Sequence, residues 1–106
     1  MKKVSVLGDG GWGTVLALVL LSNGYDVTLW GRNPEKIKNM QNTRENKYLK
    51  GIILPENLKL ESDPELAVAH TDLVILAAPS QFMRGTLQQF YKLLEPGKYP
   101  VVNVAK

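Results

Sequence analysis

The chain has 106 residues, no cysteine, one histidine and a formal net charge of +3. A length of this order fits one small domain with its own core, and the lack of cysteine excludes disulfides, a thiolate nucleophile and a zinc ribbon. The charge is uneven: residues 32–50 hold six basic side chains (Arg32, Lys36, Lys38, Arg44, Lys47, Lys50) against Glu35 and Glu45, whereas residues 56–72 hold five acids and only Lys59.

The elements follow in chain order. VSVL (4–7) is a short apolar run that ends on glycine, as a buried parallel strand does. Residues 13–23 form a helix, stopped at Asn23-Gly24, where glycine accepts the left-handed conformation. DVTLW (26–30) is a second strand. Asn33-Pro34-Glu35 starts a helix, with a capping side chain, proline in the first turn and an acid suited to the dipole. Residues 44–57 have no clear period, and so long a connection is often functional. LKL (58–60) is a third strand, and Asp63-Pro64-Glu65 starts a short helix. DLVILAA (72–78) is the central buried strand. The next helix runs from about Gln81 to Leu94, with Met83, Leu87, Phe90 and Leu94 as its apolar stripe. Ser80 is its N-cap. VVNVA (101–105) is a fifth strand.

This alternation predicts an α/β fold: a doubly wound, Rossmann-type, mostly parallel sheet of order 3-2-1-4-5 with helices on both faces. Ligands of such sheets bind at the carboxyl ends of the strands, where the order reverses. The longest apolar run, VLALVLL (15–21), is too short to span a bilayer. No basic face with aromatic platforms points to nucleic acid. His70 reads as a helix-end or surface imidazole.

The chemistry concentrates in GDGGWGT (8–14). Gly8 makes a tight turn, Gly10 lets a pyrophosphate approach the backbone, and Gly13 lets helix and strand pack closely. The helix start adds unpaired N–H groups and partial positive charge. Users of NAD carry an acid about 20 residues further on, at the end of the second strand. Here no Asp or Glu occurs from 27 to 34. Arg32 stands there instead, suited to a 2′-phosphate or to stacking on adenine. NADP is therefore favoured over NAD. Asp9 is expected to turn away from the diphosphate, towards neighbouring strand ends or solvent.

Taken together, GDGGWGTVLALVL, VTLWGRN, NTRENKYLKGIILPENL, ILAAPSQF and VVNVAK resemble the N-terminal domain of NAD(P)-dependent sn-glycerol-3-phosphate dehydrogenases over nearly the whole chain. The resemblance implies hydride transfer between dihydroxyacetone phosphate and glycerol 3-phosphate, in the cytoplasm, feeding phospholipid synthesis. It implies Gly11 and Trp12 at the cofactor diphosphate, Arg32 at the adenosine phosphate, and Tyr48 and Phe82 as further cofactor contacts. Lys106 would touch both cofactor and substrate. The family departs from this chain at position 9, more often small and neutral, and at position 50, more often proline.

The resemblance further implies a homodimer, an all-helical substrate domain beyond residue 106, and the proton-transfer lysine within that domain. Residues 1–106 alone are then expected to bind cofactor at most weakly and to turn over essentially nothing. The helix TVLALVLLSN is apolar nearly all round, so the isolated chain is expected to self-associate. The alternatives are a non-catalytic dinucleotide-sensing module, or a related dehydrogenase of the hydroxyacid or ketopantoate type. Trp12 and the 42–55 loop speak against the latter.

Overall fold

A computed structural model describes residues 2–78, 80–94, 97 and 99–104, with only the backbone of residues 80–82. Five strands, β1 (Lys3–Leu7), β2 (Asp26–Trp30), β3 (Lys59–Glu61), β4 (Leu73–Leu76) and β5 (Val101–Asn103), alternate with α1 (Gly11–Ser22), α2 (Pro34–Thr43), α3 (Pro64–Ala67) and α4 (Ser80–Phe90). The sheet has the order β3-β2-β1-β4-β5, and every pairing is parallel. The expected doubly wound topology is therefore present.

Alternation along the strands sorts the core into two layers. Val4, Val6, Val27, Leu29 and Ile75 face α1 and α2 and pack with Ala17, Ile37 and Met40. Leu7, Trp30, Val74 and Leu76 face the other way and pack with Ala67, Val68 and Phe90. Trp30 and Phe90 meet edge-to-face at 4.8 Å between ring centroids, and the indole N–H of Trp30 donates to Ser62 O at 3.0 Å. The helices thus cover both faces of the sheet.

The helix starts follow local chemistry. Asn33 Oδ1 accepts from the amides of Glu35 and Lys36, and Asp63 Oδ1 accepts from that of Glu65. Gly24, at φ +93, closes α1. His70 is exposed in the turn after α3.

Several bounds differ from expectation: α4 opens at Ser80 itself and ends at Phe90 rather than Leu94, β3 is Lys59–Glu61 rather than 58–60, and β4 is confined to Leu73–Leu76. Helix α1 begins at Gly11, two residues early, because glycines 11 and 13 take helical geometry once the sheet supports them. On α4 the buried positions are Thr86 and Phe90, with Met83 partly buried, while Leu87 stands 41% exposed. The stripe in contact with the sheet is therefore 83–86–90, and Leu87 sits at its edge beside the exposed Tyr91.

Segment 44–57 is ordered without regular structure. Leu54 and Leu58 plug into the core. Arg44 adopts φ +58 at the end of α2, and its guanidinium donates to Leu58 O and Glu56 O. The amide of Leu54 returns to Arg44 O at 2.7 Å. One of the six cations of residues 32–50 is thereby used to tie the loop down.

Candidate functional site

Strands β1, β2 and β4 end side by side, and the glycine turn leaves the end of β1 at the point where the strand order reverses. Gly8 has φ +132, and a Cβ there would lie 2.7 Å from Ala78 N and 2.8 Å from Ala77 C. It is therefore glycine for two reasons, conformation and the approach of the chain after β4. Gly13 serves packing: a methyl on it would collide with Gly8 O and lie 3.3 Å from Ala77 Cβ. Gly10 differs from both. No atom stands within 4 Å of where its Cβ would be, and it caps α1 without a side-chain hydrogen bond. The first helical bond is Thr14 N–H to Gly10 O, 3.0 Å. The amides of the first turn precede any intrahelical acceptor, so this end of α1 is polarised for an anion.

A cleft opens over this turn. It is lined by Gly8, Asp9 and Gly10, by Trp30, Arg32, Asn33 and Lys36 after β2, by Lys47 and Tyr48, and by Ala78 and Thr86 beyond β4. Tyr48 is 57% exposed. Lys36 Nζ lies 4.7 Å and Lys47 Nζ 5.2 Å from its ring centroid, which accounts for an aromatic side chain standing in a basic loop. Gly11 lies beneath it, its absent Cβ 3.4 Å from Tyr48 Cβ.

Of the residues singled out in the sequence, Gly8, Gly10, Arg32 and Tyr48 meet at this cleft, with Gly11 at its floor beside Tyr48. Trp12 does not line it. Its ring is half-exposed on the other side of the turn, and its indole N–H donates to Val104 O, 3.1 Å, beyond the end of β5. Phe82 and Ser80 have no described side chains, and Lys106 lies outside the described residues.

Asp9 turns its carboxylate towards the end of β2. Oδ2 is sealed from solvent 3.4 Å from Lys36 Nζ, without a hydrogen bond. Asn46 is the principal residue that periodicity does not reveal. It is buried, its Nδ2 donates to Asp9 O (2.9 Å) and Thr14 Oγ1 (2.8 Å), and its Oδ1 accepts from the amide of Tyr48 (3.0 Å). One side chain therefore fastens the 44–57 segment to the glycine turn and places Tyr48. Its sequence signal is its place in NTRENKYL, a segment that carries the family resemblance, and not any periodicity.

A parallel 3-2-1-4-5 sheet whose glycine turn opens on a basic cleft at the reversal of strand order defines a Rossmann-type domain. Comparison with known proteins narrows the class. The chain belongs to the family described as NAD-dependent glycerol-3-phosphate dehydrogenase N-terminus, which matches residues 3–106. It is 48% identical to a glycerol-3-phosphate dehydrogenase (NAD(P)+) of Bacillus licheniformis, over 100% of this chain and 31% of that protein. To the enzyme of the same description from Chlorobium luteolum it is 41% identical, over 97% of this chain and 31% of the relative. The crystal structure of glycerol-3-phosphate dehydrogenase from Coxiella burnetii superposes with a TM-score of 0.91 at 28% identity, covering 99% of this chain and 32% of that one. The chain spans about a third of the length of the curated relatives it matches.

Proposed function

We propose that this chain binds NAD or NADP across the carboxyl ends of β1, β2 and β4, as the cofactor-binding part of an oxidoreductase that interconverts dihydroxyacetone phosphate and sn-glycerol 3-phosphate. The observation that carries the reading is the open backbone at Gly10. Neither a positive φ nor a neighbour in the Cβ space requires glycine at this position, and Gly10 lines the cleft together with Arg32, Lys36 and Lys47. Bare backbone, a helix N-terminus and cations suit a diphosphate.

Within that reading Gly10 and Gly11 hold the diphosphate, Arg32 meets the adenosine phosphate, Tyr48 and Phe82 are further cofactor contacts, and Lys106 touches both cofactor and substrate. The nicotinamide supplies or accepts the hydride. This chain's residues bind and orient the cofactor, while Trp12 fixes the turn against the segment after β5. We assign proton transfer and the grip on the substrate phosphate to the remaining two-thirds of proteins of this kind. Loss of general acid–base help alone costs about 10²–10⁴-fold. The homodimer, the cytoplasmic location and the supply of phospholipid precursors belong to the same reading. So does self-association of the isolated chain through the exposed Val15 and Val19 of α1.

Two measurements test it. Gly10→Ala, whose φ of −69 suits alanine, should leave the melting temperature intact and weaken NADH or NADPH binding by about tenfold or more, since every 1.4 kcal/mol is tenfold. Equal affinities for both proteins would remove the turn from the binding site. In the second, the 106-residue chain should bind cofactor yet reduce no dihydroxyacetone phosphate. Turnover by this chain alone would refute the division of labour.

A further inference from the structure

We infer that Asp9 is the specificity-determining residue for the adenosine ribose. It supplies from the glycine turn the carboxylate that the end of β2 lacks, and so selects the 2′-hydroxyl over the 2′-phosphate. The inference rests on the dinucleotide reading above.

The observation is steric. Gly31 follows directly on β2, the place where a ribose-binding acid ordinarily projects. Its φ lies outside the left-handed region that would call for glycine. Its missing side chain is explained by its neighbours instead: a Cβ on Gly31 would collide with Asp9 Oδ2 and lie 2.6 Å from Asp9 Cγ, with Ile37 Cδ1 closing the other side at 2.8 Å. The Asp9 carboxylate thus occupies the space that the side chain of residue 31 would take. An acid missing from positions 27–34 in the sequence is present at the end of β2 in space.

The carboxylate is held rather than free. Lys36 Nζ lies 3.4 Å from Oδ2 and 3.4 Å from the carbonyl oxygen of the same residue. The carbonyl also accepts from Asn46 Nδ2 at 2.9 Å. Oδ2 is sealed against this anchor, while the side chain keeps 16% of its exposure and lines the cleft beside Arg32 and Asn33. A fixed carboxylate accepts hydrogen bonds from ribose hydroxyls and opposes a phosphate placed on the same carbon, because like charges juxtaposed at a binding surface are costly. Arg32 then stacks on adenine, a role open to a planar guanidinium. The preference for NADP, drawn from the missing acid, reverses.

The test measures dissociation constants of NADH and NADPH for the wild-type chain, Asp9→Asn and Asp9→Ala, with melting temperatures as folding controls. The wild type should bind NADH more tightly than NADPH. Asp9→Asn keeps the shape and removes the charge. It should raise NADPH affinity about tenfold, the equivalent of one screened charge contact of about 1.4 kcal/mol, and lower NADH affinity only a few-fold. Asp9→Ala should lose more NADH affinity, having no acceptor left. A wild type that prefers NADPH, so that Lys36 and Arg32 act as a 2′-phosphate site, would overturn the inference. So would an NADH-to-NADPH ratio unchanged in both variants. Absence of binding by either nucleotide would defeat the dinucleotide reading itself, whereas binding with an unaltered ratio defeats only the role of Asp9.

Discussion

Gly13→Ala is expected to unfold the chain, or to leave it destabilised by at least about 3 kcal/mol, the upper end of the usual cost of overpacking. The added methyl would collide with Gly8 O and stand 3.0 Å from Gly8 C. Both are backbone atoms, so no rotamer change relieves the clash. Nor can the end of β1 retreat: the amide of Gly8 donates to Trp30 O, and that of Ala77 to Leu7 O, each at 2.9 Å. Helix α1 must therefore lift from the sheet. It brings Ala17 into the core and packs Leu16, Leu18, Leu20 and Leu21 against it, so lifting it exposes much of one apolar layer. A domain of this size is stable by only about 5–15 kcal/mol. The urea midpoint of Gly13→Ala should fall sharply while that of Gly10→Ala stays in place. An unchanged midpoint for Gly13→Ala would mean that α1 does not rest on the turn.

The contrast between these two glycines shows how far the sequence was legible. The spacing Gly8-x-Gly10-x-x-Gly13 predicts a turn, an anion site and a close packing point, and the residues divide those tasks in that way in space. The strands VSVL, DVTLW and DLVILAA were legible because buried parallel strands read as short, predominantly apolar segments bounded by turn residues. The caps at Asn33 and Asp63 were legible because capping is local chemistry. Leu87 was misplaced on the buried stripe because a 3–4 residue spacing does not distinguish 86 from 87, and a polar Thr86 in the core carries no hydropathy signal. Asp9 and Gly31 are 22 positions apart, and nothing in either residue type announces that one side chain fills the other's vacancy. The 44–57 segment was opaque for a related reason. Its order comes from single side chains bonded to backbone groups, which have no period.

Asn46→Ala provides the sharpest test of that segment, with an expected loss of about 1–3 kcal/mol for each buried polar group it orphans. One group is orphaned and one weakened: the part-buried amide of Tyr48 loses its acceptor, Asn46 Oδ1, while the buried hydroxyl of Thr14 loses Asn46 Nδ2 but keeps its bond to Asp9 O. Asp9 O is spared, because Thr14 Oγ1 and Lys36 Nζ still reach it at 3.3 and 3.4 Å. Beyond stability, Tyr48 loses what positions it over Gly11, so cofactor affinity should drop about tenfold, on the scale of 1.4 kcal/mol. Asn46→Asp should not rescue either effect. The carboxylate still accepts from Tyr48, and the Thr14 hydroxyl can turn to donate to it, but Asp9 O is then left to Lys36 Nζ alone and a second anion lies next to the Asp9 residue. Denaturant titration and NADH titration of the same two variants separate the contributions. If Asn46→Ala matched the wild type in stability and in affinity, the 44–57 segment would be fastened by Arg44 and Leu54 alone, and Tyr48 would have no part in binding.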